Sequence, residues 1–114
     1  MRPRSILLPP LAALAIAAMD LPPSFAQDRQ ALERRGEALL SKHCAMCHAV
    51  GRSGESPNPI APAFRTLGTR YPVEQLEESL AEGIFSGHPE MPEFVFAPHE
   101  VGAIVAYLRS IQER

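Results

Sequence analysis

The pentapeptide Cys44-Ala45-Met46-Cys47-His48 constrains this chain more than any other stretch. It contains both cysteines of the 114-residue sequence, with a histidine directly after the second. A redox dithiol at this spacing expects a βαβ context. A zinc site needs further ligands, and His43, His88 and His99 show no recognisable pairing. A structural disulfide would close a loop too short to help and would leave His48 without a role. Covalent haem attachment uses all three residues. Two thiols three positions apart can reach the two vinyl groups of one porphyrin and form thioethers. The histidine is then held beneath the iron, where a neutral imidazole nitrogen binds axially.

The length suits such a cofactor. Arg2 and Arg4 form a positive head, an apolar run extends from Ile6 to Ala18, and Ser24-Phe25-Ala26 offers small residues in the outer positions of an A-x-A-like site. This order reads as a secretory signal peptide over residues 1–26, cleaved after Ala26. The rival reading is a retained anchor, but the run falls short of the ~20 apolar residues that span a bilayer. Residues 27–114 then form one domain outside the cytoplasm, too small to build a sufficient core easily without a disulfide framework, metal or cofactor. The whole chain carries 11 basic and 13 acidic side chains and no tryptophan. With no basic stripe, nucleic acid is excluded as a partner class.

Three segments show helical periodicity, and none alternates long enough for a strand. The first runs from Asp28, a candidate cap, to Lys42, with Leu32, Gly36, Leu39, Leu40 and His43 on one stripe. The second runs from Pro72 to Glu82, with Val73, Leu76 and Leu80 inward, Gly83 as the stop, and Glu74, Glu77, Glu78 and Glu82 as a solvated face. The third runs from Pro98 to Gln112, with Val101, Ile104, Val105, Leu108 and Ile111 on one side. Residues 51–62 hold too many glycines, serines and prolines for a strand, residues 63–67 can form one helical turn, and residues 85–97 should be an ordered, irregular loop. The expected class is all-α, with three main helices wrapped around one haem.

A second iron ligand should come from later in the chain. Met91 lies in Gly87-His88-Pro89-Glu90-Met91-Pro92-Glu93-Phe94, flanked by acids and clamped near two prolines, which suits positioning better than core filling. A thioether is a soft, neutral ligand that raises the potential. His88 is its competitor. His43 reads as a surface or helix-end residue, and Met46, inside the attachment turn, is badly aimed.

From residue 28 to 111 the sequence resembles the class I cytochrome c family in its small bacterial form. The resemblance implies thioethers at Cys44 and Cys47, His48 as proximal ligand and Met91 as distal ligand. Pro62, in Ala61-Pro62-Ala63-Phe64, matches the family proline whose carbonyl accepts a hydrogen bond from the proximal histidine. Gly36 and Leu40 match the first-helix positions that cross the last helix, against Ile104 and Tyr107. Leu40 departs from a position that is often aromatic. The haem carboxylates have no tryptophan partner, which leaves Tyr71, Arg52, Arg65 or Arg70. Lys42 is the only lysine, so the lysine ring of mitochondrial relatives has no counterpart.

The function so implied is one-electron transfer between redox proteins by a monomeric mono-haem carrier. No small-molecule substrate is expected, and no nucleophile or base marks the chain as an enzyme. Two rivals stand beside it: a dedicated haem subunit of an exported dehydrogenase or oxidase, and a gas sensor or peroxide-reacting haem protein.

Overall fold

In a computed structural model, residues 1, 3, 5–7, 24–84 and 89–113 are described. Most of the expected signal peptide, including Arg2, Arg4 and residues 8–23, lies outside them, as does His88. The described chain contains three α-helices: α1 (Phe25–His43), α2 (Leu76–Glu82) and α3 (Pro98–Ile111). Short 3-10 segments occupy Phe64–Thr69 and Val73–Gln75, and there is no strand among the described residues. The fold is all-α.

The first helix begins earlier than its periodicity indicates. Ser24, not Asp28, takes the N-cap, and its N–H donates to Gln27 Oε1 at 3.2 Å. Asp28 sits in the first turn, where a negative charge suits exposed amide groups. Helix α1 therefore runs continuously across the expected cleavage point after Ala26. Its first two turns are exposed, Leu32 among them at 40%. Leu32 was expected on the buried stripe. It is uncovered because α1 meets the rest of the protein through its second half, where Gly36 and Leu40 are buried.

That half crosses α3, which supplies much of the core, including Val101, Ile104, Val105, Leu108 and Ile111. Ile104 is fully buried. The crossing is close because Gly36 lacks a side chain. A Cβ there would overlap the Ala103 carbonyl oxygen and stand 2.6 Å from its carbon and 2.9 Å from Tyr107 Cβ. Two of those atoms are backbone and cannot rotate aside. Gly36→Val should therefore force the helices apart, and overpacking typically costs ~1–3 kcal/mol. The few tenths gained in helix propensity do not offset it. A fall in Tm on the order of 10 °C is expected. An unchanged melting temperature would place residue 36 away from the crossing.

The second helical segment is split. Pro72 precedes the 3-10 turn Val73–Gln75, and α2 proper starts at Leu76. It stops at Gly83, whose φ of 123° is strained for any residue with a Cβ, and whose space against the chain is filled by the Glu93 side chain. Its acidic face is not wholly solvated: Arg109 of α3 donates to Glu74 and lies 4.0 Å from Glu77. Beyond α3, Gln112 leaves the helix but closes it. Its Nε2 donates to the Leu108 and Phe64 carbonyls at 2.8 Å, and its Oε1 accepts from Gly68 N–H at 2.6 Å. No helix of the described residues is long and apolar enough to cross a membrane.

Candidate haem-attachment site

The last turn of α1 delivers the cysteine motif. Cys44 N–H donates to Leu40 C=O at 2.8 Å, continuing the helix by one bond. The chain then tightens, with Cys47 and His48 N–H both donating to Cys44 C=O at 3.2 and 3.0 Å. Both cysteines are half-buried and not bonded to each other. Burial, with a smaller contribution from neighbouring Cys47, pushes the Cys44 thiol up to about 11. At neutral pH the unattached chain therefore carries Cys44 as a thiol, which attacks a disulfide far less readily than a thiolate does.

Hydrogen bonds hold Cys47 and the two residues that follow His48. Cys47 C=O accepts from Asn58 N–H at 3.1 Å, Ala49 N–H donates to Ser56 Oγ at 3.0 Å, and Ala49 C=O accepts from Phe64 N–H at 3.0 Å. The buried Tyr107 hydroxyl donates to Val50 C=O at 2.8 Å. Burial, reinforced by Glu37 and opposed by Arg52, raises the Tyr107 phenol above its ordinary value, so it stays a neutral donor. This clamp from α3 carries no signal in the local sequence.

These bonds aim His48. Its Nδ1 lies 2.8 Å from Pro62 C=O. A carbonyl only accepts, so Nδ1 carries a proton, and in the neutral tautomer that this bond selects Nε2 keeps its lone pair. The imidazole face rests on Phe64, with centroids 4.6 Å apart and planes 25° from parallel. Phe64 as a platform was not anticipated from the sequence. Pro62 fixes the tautomer of the ring and Phe64 its plane. A neutral imidazole with a free Nε2, beside two half-buried sulfurs in the same turn, is the donor set that an iron porphyrin joined through thioethers requires. Among the described residues no three His, Cys, Asp or Glu side chains gather as a metal cluster, so the zinc reading lacks ligands there.

Met91 is half-buried, just after the turn at Pro89 and Glu90. The following residues are pinned to the end of α2: Ile84 N–H donates to Phe94 C=O at 3.3 Å and Phe96 N–H to Leu80 C=O at 2.8 Å. Phe94 and Phe96 in turn reach His43, the residue before Cys44. His43 is thus half-buried among rings rather than a solvated helix end. Met46 is 88% exposed. Of the expected carboxylate partners, Arg65 is engaged elsewhere. It donates to Gly54 C=O at 2.6 Å and pairs with Glu113 at 3.1 Å, whereas Arg52 and Arg70 are exposed.

Residues 31–108 match the model of the family described as cytochrome c oxidase, cbb3-type, subunit III. The chain belongs to this family of c-type cytochromes. Cytochrome c-552 of Bradyrhizobium diazoefficiens is 31% identical over 77 residues, which cover 68% of this chain and 72% of that protein. No solved structure matches it.

The cofactor of this cytochrome is haem c, covalently bound, and its role is to carry electrons. When bound, haem supplies an iron that changes oxidation state by one electron. The protein's part is binding, orientation and dielectric. The attachment turn is held by backbone hydrogen bonds and by a clamp from α3, so an electron arriving or leaving finds a frame with little to rearrange. The Leu40, Phe64 and Leu67 side chains belong to the same buried cluster and keep water from the core beside that turn.

Proposed function

We propose that this cytochrome is a monomeric shuttle that passes single electrons between redox proteins of the bacterial periplasm. Cys44 and Cys47 carry the thioethers, His48 is the proximal ligand and Met91 the distal one. The Pro62 carbonyl accepts a hydrogen bond from Nδ1–H and makes His48 a better donor, as hydrogen-bonded metal ligands generally are. The observation that carries this reading is the 2.8 Å contact of His48 Nδ1 with Pro62 O, which reserves Nε2 for iron. Two axial ligands close the iron to substrates, so the chain does no chemistry beyond electron transfer. The leader is cleaved after Ala26, which releases the protein from the export pathway.

A second reading, the dedicated haem subunit of an oxidase, is favoured by the name of the matched family. Cell fractionation separates the two: a shuttle is recovered from the soluble periplasmic fraction, a subunit copurifies with membrane oxidase.

An optically followed redox titration of the purified holoprotein tests the main reading. A single one-electron transition at a high potential, with carbon monoxide binding the ferrous form slowly and incompletely, is the expected result. Rapid, complete binding of carbon monoxide would reveal an open distal position and move the protein to the gas-sensing or peroxide-reacting class.

A further inference from the structure

We propose that His43 is a positioning residue for the Met91 segment, its ring holding Phe94 and Phe96 and so governing how often the Met91 sulfur leaves the iron. The inference rests on the reading of Met91 as the second axial ligand. Histidine at the last position of a helix is ordinarily solvated, yet His43 is half-buried. Its ring centroid lies 5.7 Å from that of Phe94, tilted by 59°, and 5.6 Å from that of Phe96, at 77°. Phe94 and Phe96 stack at 6.2 Å and 27°. Edge-to-face and offset contacts at these separations are the favourable aromatic geometries.

The placement of this three-ring cluster makes it a latch. Residues 93–96 are already tied to α2, through Glu93 against Gly83 and through the two backbone bonds at Phe94 and Phe96. His43 ties the same residues to the other side, to the end of α1, one residue before Cys44. Met91 stands three positions before Phe94, with Pro92 between them locking one φ. The tether is too short and stiff for Met91 to move independently of where Phe94 is held. Holding Phe94 and Phe96 against the helix that carries the attachment turn therefore holds the methionine near the iron.

An added ligand such as imidazole reads this directly. It reaches ferric iron only in the fraction of molecules whose methionine is off, so its apparent affinity is the intrinsic one scaled by that fraction. Such local opening is distinct from global unfolding. In the ferric holoprotein, His43→Ala should strengthen imidazole binding about tenfold and weaken the sulfur-to-iron charge-transfer band. His43→Phe, which keeps a ring in place, should bind imidazole within about twofold of wild type. Phe94→Leu loosens the latch from the opposite side, should resemble His43→Ala, and decides the matter if His43→Ala fails to load haem.

Wild-type imidazole affinity and an intact band in His43→Ala would overturn the latch, even if its Tm falls, because a merely structural role moves only the melt. Loosening in His43→Phe equal to that in His43→Ala would overturn it too. A wild-type protein without the charge-transfer band would instead fail the Met91 reading, and the latch with it, before any substitution is made.

Discussion

With Met91 as the proposed distal ligand, Met91→Ala should turn the ferric haem partly high-spin and abolish the sulfur-to-iron charge-transfer band. Alanine leaves no donor at the iron, so water or an added ligand enters. Met91→His keeps the iron low-spin but lowers the reduction potential, because imidazole donates more strongly to ferric iron than a thioether does. Axial ligands move haem potentials over a span of ~0.8 V, so the shift should be a sizeable part of that span. His88→Ala does neither. Optical spectra, electron paramagnetic resonance and a redox titration of the three variants check the pattern together. The expectation draws on Met91 being half-buried and followed by residues pinned to α2 and to the end of α1. If His88→Ala opens the iron instead, the site is bis-histidine and the high-potential carrier is lost.

Cys44→Ala with Cys47→Ala abolishes covalent haem altogether. In the wild type, haem should stay with the polypeptide through denaturation and acid-acetone extraction; in the double variant it should be extracted completely. These are the two cysteines of the chain, so no other thiol can substitute. Quantitative release from denatured wild type would sink the covalent assignment. The double variant made without haem should also lose most of its helical circular dichroism. A chain this small buries too little apolar surface to outweigh its conformational entropy unaided, and cofactor binding energy becomes folding energy. Leu39, Cys44, Tyr71 and Phe94 pack against the buried cluster yet are themselves only partly buried, consistent with a core completed by the cofactor. Native helical content without haem would show that the α1–α3 crossing is sufficient by itself.

Whatever depends on neighbours along the chain was legible in the residues alone. The attachment chemistry needs two thiols and an imidazole within one turn, and five consecutive residues state it. The three helices follow from apolar periodicity, and α3 was legible nearly to the residue because its whole stripe is buried. Pro62 as the partner of His48 came from family resemblance, and the two atoms meet 14 residues apart. Periodicity marks an apolar face but not how much of it is covered: α1 carries one stripe, yet Leu32 is exposed where α3 does not reach, while Gly36 is pressed against Ala103. Nor does any local pattern say that His43 would lie among Phe94 and Phe96, that Phe64 would support the His48 ring, or that Tyr107 would hold Val50 from 57 residues away. Those contacts depend on the paths of proline-rich loops, which have no period. They are settled in three dimensions, because packing the few buried faces together sets where the loops must pass.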